Sequence, residues 1–341
     1  MPLSLSYLVK RVAWSITVIV GVVVLSYLII ILSPGDPAVK WAGHPRGPGA
    51  AKAVEQARKE LGLDQPLHTQ ILNFLRMVFT GDLGLSIAYR QPVYDVLWRN
   101  LAATLELLLV AYAIGVPLGS FLGVFAALRR GKRVDGVLQA IGTVFANTPT
   151  FWLGLAIFMA LLPSGFTAYG RVNVSLALST GFYTITGLYL LDALLQLNFP
   201  VFVDALVRLL PPALAVAAYP VGVCLRIGRT LMADALLEEY VRAAAAWGVK
   251  RRTIVWRYAF RAALPGLVQV SGLAFAYSLV DAMVVEYVFG REGLGRLLYD
   301  AVSVNDFRLA IGLLVIVAAF YLIVNTLADI AQALIDPRVR L

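Results

Sequence analysis

The chain has 341 residues, of which 60% are apolar and only 14% charged, with a formal charge of +9 and a mean hydropathy of +0.79. That balance excludes an ordinary pair of soluble domains and points to lipid as the solvent for much of the surface. The lone cysteine, Cys224, excludes an internal disulfide, two isolated histidines (His44, His68) give no metal-ligand spacing, and the cations gather beside apolar runs, where they set topology rather than bind nucleic acid.

In chain order, the first apolar run is Val12 to Leu32, preceded by Lys10 and Arg11. It is too long for a signal-peptide core and has the roughly 20 residues needed to cross about 30 Å of hydrocarbon. Residues 1–32 are therefore expected to be a cytoplasmic N-terminus and an uncleaved first span. Residues 33–100 are mixed in charge and predict a small extracellular helical domain, with "AKAVEQARKELGL" at helical periodicity and "SPGDP" and "TGDLG" as turns. Five further runs follow: Leu101 to Leu128, Val137 to Leu162, Leu209 to Leu225 extended by a turn or two, Leu264 to Val285, and Leu309 to Leu334. The expected fold is all-α and polytopic, with six transmembrane helices, a five-helix core over 101–335 and a cytoplasmic tail at 336–341.

Arg129, Arg130, Lys132 and Arg133 lie in the short loop between spans two and three and place it in the cytoplasm, with both termini on the same side. Val174 to Leu191 is apolar enough for a seventh span. Crossing there would export the eight cations from Arg226 to Arg261, so residues 163–207 read instead as an extracellular insertion or a re-entrant piece. Pro211, Pro212 and Pro220, with Gly222 and Gly228, are expected to break or bend span four.

Between spans four and five, residues 234–262 form a basic cytoplasmic segment. It carries most of "EEYVRAAAAWGVKRRTIVWRYAFRAALPG", Glu238 to Gly266, whose last residues lead into span five. Ala243 to Ala246 and Gly248 leave little bulk, while Tyr240, Trp247 and Trp256 supply large anchors. Small residues allow close approach and aromatics fill pockets, which suits a helix docked in a partner's groove. A helix lying on anionic lipid has similar features, and the residues alone leave both readings open.

This stretch resembles the EAA loop of ABC importer permeases, in the variant of the dipeptide, oligopeptide and nickel subgroup. "SPGDP", "LGLDQPL", "GDLGLSI", "NLAATLELLL", "GVPLG", "FAALRRGKRVD", "PTFWLGL", "VEYVFGREGLGRLLYDAV" and "DPRVR" resemble the same subgroup in the same order. Arg242 stands where the general motif has Glu, as is usual in the subgroup, and the segment around Val174 to Phe202 is longer than expected. The resemblance implies the type I ABC permease fold, a plasma-membrane location, and a coupling helix seated in a cytoplasmic ATPase. Its contact residues would be Glu239, Tyr240, Val241, Arg242, Ala243, Ala244, Ala245, Trp247 and Gly248. It also implies a second, related permease subunit, two ATPase subunits that hold ATP and Mg, and an extracellular substrate-binding protein.

The chain itself is expected to hydrolyse nothing and to carry no cofactor: "GREGLG" lacks the Lys and Ser/Thr of a phosphate loop. Among acids within apolar runs (Glu106, Asp281, Glu286, Asp329), Glu106, Asp281 and Glu286 are candidates for the translocation path, with a structural pairing between helices as the other reading. Arg226 and Arg229 are expected to snorkel to headgroups or meet the ATPase. Peptides lead as substrate and oligosaccharides follow. A secondary transporter, the reading from another class, should show repeated halves, and no convincing repeat is present.

Overall fold

Apolar runs in lipid must satisfy every backbone N–H and C=O internally, so they become helices. A computed structural model of the chain describes residues 5–32, 36–43, 45–60, 62–166, 168–304 and 306–335. The turn expected at "SPGDP" lies largely outside the described residues, as does the terminal "DPRVR". The helices are α1 (Leu5–Leu32), α2 (Pro37–Trp41), α3 (Ala50–Glu60), α4 (Leu67–Thr80), α5 (Val93–Leu128), α6 (Arg133–Asn147), α7 (Thr150–Leu161), α8 (Val174–Ser179), α9 (Tyr189–Leu195), α10 (Phe199–Ala235), α11 (Glu239–Ala246), α12 (Arg251–Thr253), α13 (Phe260–Val288), α14 (Leu294–Ser303) and α15 (Phe307–Ile335). A π-helical turn, Ile254–Ala259, joins α12 to α13. The helical reading of "AKAVEQARKELGL" is realised in α3.

Among the described residues, five helical stretches are long and apolar enough to cross a membrane: Val9–Ile29, Val93–Leu128, Phe199–Ala235, Arg251–Val288 and Phe307–Ile335. The span expected at Val137 to Leu162 differs from a straight rod. It is the pair α6 and α7, which meet at 98°, and only if that pair counts as one span does the number reach six. The cause is Pro149: its ring disfavours helical dihedrals at the preceding residue, and Thr148 is extended (φ −75°, ψ 128°). The stretch from Val174 to Leu191 holds α8 and the start of α9, of 6 and 7 residues, each far too short to cross.

Of the break or bend expected in span four, the break does not occur: α10 runs for 37 residues through Pro211, Pro212 and Pro220. An interrupted helix at membrane depth would leave polar backbone groups without water, a larger cost than each missing proline N–H. The glycines around these prolines have another use. A Cβ on Gly115, Gly119 or Gly123 of α5 would stand within 3.0 Å of α10 backbone atoms, and one on Gly222 would stand 2.5 Å from the Ala146 nitrogen of α6. Three helices therefore meet backbone to backbone through small residues, the packing that associates helices where lipid supplies no hydrophobic drive.

The chain divides into two compact units. One is built around Ala103–Arg291, with α10 packed against α6, α7 and α13. Tyr112 and Ser278 share a hydrogen bond of 2.7 Å within it. Arg229 donates to both carboxylate oxygens of Asp135, at 3.1 and 2.7 Å, and the same carboxylate accepts the Gly131 N–H. Arg229 is thus engaged between α10 and α6 rather than snorkelling, because Asp135 is buried and needs a counter-charge.

The other unit combines Lys10–Ala102 with Glu292–Phe320, so residues 33–100 share a core with most of α1 and with residues far along the chain. Val23, Tyr27, Phe74 and Ile311 form that core. Asp306 accepts from Ser86 Oγ (2.5 Å), the Ala88 N–H and the Leu309 N–H, fastening a loop to the start of α15. Tyr89 donates to Asp300, and burial followed by that hydrogen bond raises its phenol above the ordinary range, so it remains a donor at physiological pH.

Candidate functional site

Four alanines in a row favour helix, and α11 forms over Glu239–Ala246. It ends in a Schellman turn: the Gly248 N–H bonds to the Ala245 carbonyl and the Val249 N–H to the Ala244 carbonyl, with Gly248 at φ +77°. Val249 then packs on Val241, Ala244 and Ile254. This apolar seal fixes the helix against the first turns of the following stretch.

The seal gives α11 two sides. Val241 and Ala244 face inward, Ala244 being only 7% exposed, so neither is open to a partner. Glu239, Tyr240, Arg242, Ala243, Ala245 and Trp247 are exposed, Trp247 at 87%. The expectation that Val241 and Ala244 lie at the docking face is corrected: residues three positions apart share one side of a helix, and here it is the inner one. Gly248 also changes meaning. Open space surrounds it, so its role is the left-handed turn and not slimness. Gly248→Ala should weaken this turn by about 1–2 kcal/mol. Amide exchange over residues 239–249 of the inserted subunit should quicken roughly tenfold, since 1.4 kcal/mol corresponds to a factor of ten. Unchanged protection would remove the turn from the account.

Behind α11, the π-helical turn feeds a second apolar cluster. Val255, Ala259 and Ala263 pack with Met232, Ala233 and Ala235 of α10 and with Val124 and Ala127 of α5. Ile254 and Val255 are adjacent, the first sealed to α11 and the second inside this cluster. The small helix is therefore joined to the ends of α5, α10 and α13 through two apolar clusters that meet at the neighbouring residues Ile254 and Val255.

The three acids proposed for a path do not gather at one opening. Glu106 is 5% exposed and held on all sides. Its Oε2 lies 2.9 Å from Arg171 and 3.6 Å from Arg291, and its Oε1 accepts the Leu190 N–H at 2.7 Å. Arg171 also donates to the Gly187 carbonyl and lies over the Tyr189 ring at 3.5 Å. Of the two readings of Glu106, path residue or structural pairing, the structure shows the pairing, a buried clamp on the segment that holds Arg171 and Leu190: an acid in an apolar wall draws counter-charges around itself. Glu286 is fully buried. Asp281 alone of the three is partly exposed, beside Thr150 at the bend between α6 and α7.

Sequence reasoning missed Arg171 and Arg291 as partners of Glu106. Arg171 stands alone in a stretch without other charges from Phe166 to Leu191, and such isolation was the available signal. The π-helical turn had none, because it depends on packing from three helices.

Comparison with known proteins bears on this arrangement. The model of the "Binding-protein-dependent transport system inner membrane component" family matches residues 119–341, and that of the N-terminal part of such membrane components matches residues 4–108. The chain is 37% identical over 343 residues to a "Probable D,D-dipeptide transport system permease protein" of Escherichia coli (strain K12), covering 97% of each chain. It is 32% identical to the dipeptide transport system permease protein of the same strain, with 98% of this chain and 99% of the relative covered. To the di/tripeptide transport system permease protein of Pseudomonas aeruginosa (strain UCBPP-PA14) it is 34% identical, again over 98% and 99%.

Proposed function

Because the chain belongs to the family of binding-protein-dependent transport system inner membrane components, we propose that it forms half of a path for di- or oligopeptides and is driven through α11. It is a multi-pass membrane permease of an ABC importer of the dipeptide/oligopeptide type. It works with an ATPase and a substrate-binding protein and is a transport component rather than an enzyme. The finer reading has a second homologous permease completing the path, two ATPase subunits beneath that hold ATP and Mg, and the binding protein outside. Both termini then face the cytoplasm, a placement supported by Arg129, Arg130, Lys132 and Arg133.

The observation that carries the coupling role is the two-sidedness of α11. Its inner side is sealed to the stretch entering α13, and its outer side offers a large indole among small residues. A helix built this way moves with what grips it. Closure of the ATPases would displace α11, and the packing through Ile254 and Val255 would pass the displacement to α5, α10 and α13. The peptide assignment is supported by the names of three relatives that match nearly the whole chain.

Reconstitution with the second permease, the ATPases and the binding protein should give ATP-dependent uptake of a labelled dipeptide, and none from the chain alone. Uptake without ATP would overturn the coupling. Uptake of an oligosaccharide in place of the peptide would overturn the substrate.

A further inference from the structure

Immediately after α11, Arg252, Thr253, Trp256 and Arg257 line an open cleft of about 370 Å³. The spacing would not form such a cleft in a regular α-helix, where positions five apart diverge by about 140° around the axis. The π-helical turn over Ile254–Ala259 widens the backbone to i→i+5 bonding and brings Arg252 and Arg257 to one side. Both guanidiniums are exposed, and among the described residues neither has an acidic partner.

The cleft's height matters as much as its charge. Its four residues occupy the first turns of the span Arg251–Val288, where a membrane helix passes through the headgroup layer. Trp256 is 42% exposed and marks the apolar limit: its ring stacks on Phe121 at 6.4 Å and meets Phe260 edge-on at 5.3 Å. Phe121 is itself exposed on α5. Two cations thus stand above an aromatic step that faces outward, an arrangement that matches a phosphate carrying acyl chains.

We propose that this cleft binds the phosphate of an anionic phospholipid headgroup. Arg252 and Arg257 clamp its oxygens, Thr253 donates a hydroxyl, and the Trp256 ring lies along the glycerol and upper acyl chain. Because Ile254 and Val255 of the same turns link α11 to the helix bundle, bound lipid steadies the joint through which α11 is held. The proposal requires only that the chain sits in a membrane and does not rest on the transport reading.

The test uses the full-length chain in phosphatidylcholine bilayers doped with phosphatidylglycerol, followed by mild detergent extraction and native mass spectrometry of retained lipid. The wild type should retain phosphatidylglycerol preferentially. At about 1 kcal/mol per cation near the surface, Arg252→Gln or Arg257→Gln should reduce that preference about fivefold, and the double variant about 25-fold. Continued resistance of the buried Cys224 thiol to maleimide shows that the variants are folded. Millimolar inorganic phosphate should leave the wild-type lipid in place. Equal retention by the double variant would overturn the proposal, as would displacement by inorganic phosphate, which identifies a free-anion site. So would unchanged lipid in a double variant that, co-expressed with the partner ATPase, no longer co-purifies it, which identifies a protein-docking surface.

Discussion

Replacing Trp247 with aspartate abolishes ATP-dependent uptake by the assembled transporter while the subunit remains inserted and its Cys224 thiol protected. The indole is 87% exposed and takes no part in the seal formed by Val241, Ala244, Val249 and Ile254, so removing it leaves the internal packing of α11 intact. An exposed tryptophan beside alanines is the kind of residue on which interfaces concentrate their energy. Truncating such an anchor costs about 2–4 kcal/mol, and a buried aspartate in its place adds a desolvation penalty. Measured as vesicle uptake, the loss should be at least about 30-fold, following the factor of ten per 1.4 kcal/mol. Ala243→Glu, at a neighbouring exposed position, should act in the same direction. Wild-type uptake by Trp247→Asp would show that no partner grips this side of the helix.

The second large effect is expected at Glu106, and it concerns stability. Glu106→Ala leaves the guanidiniums of Arg171 and Arg291 facing each other without the carboxylate they share, with Arg291 only 1% exposed. Breaking a buried ionic set by removing one member costs about 3–5 kcal/mol, because the remaining charges can neither hydrate nor pair fully. The loss of the Leu190 N–H acceptor adds to it and frees the 163–207 segment from α5. Cys224 provides the reporter, since the chain's single thiol is buried and becomes reactive only on opening. Thermal labelling of Glu106→Ala should begin at a clearly lower temperature than in the wild type. Glu55→Ala, which removes an exposed pair with Lys59, should leave the labelling curve unmoved. Coincident curves for Glu106→Ala and wild type would mean that the cluster does not hold the segment.

The helices were legible because lipid simplifies the code. Long apolar runs with flanking cations have one inexpensive conformation, and α1, α5, α10, α13 and α15 all lie where such runs lie. The alanine run announced α11 in the same way, and the aromatics beside it, Tyr240 and Trp247, are exposed. The failures were of a different kind. Pro149 was visible, yet a proline within an apolar run is compatible both with a broken pair such as α6 and α7 and with an unbroken helix such as α10. The difference lies in neighbours: Pro220 packs at Gly115, and Gly222 admits the α6 backbone, whereas Thr148 takes an extended conformation at the bend.

Charge partners were equally hidden. Glu106 and Arg171 are 65 residues apart, and Asp135 and Arg229 are 94 apart. Taken alone, the sequence determined a helical membrane protein, the approximate limits of its spans and the short alanine-rich helix between α10 and α13, because hydropathy and helix propensity act over neighbouring residues. Only the tertiary structure decided which side of α11 faces inward, which acids are clamped and where the π-helical turn brings two arginines together. Those outcomes depend on contacts between helices distant along the chain, and no local pattern encodes them.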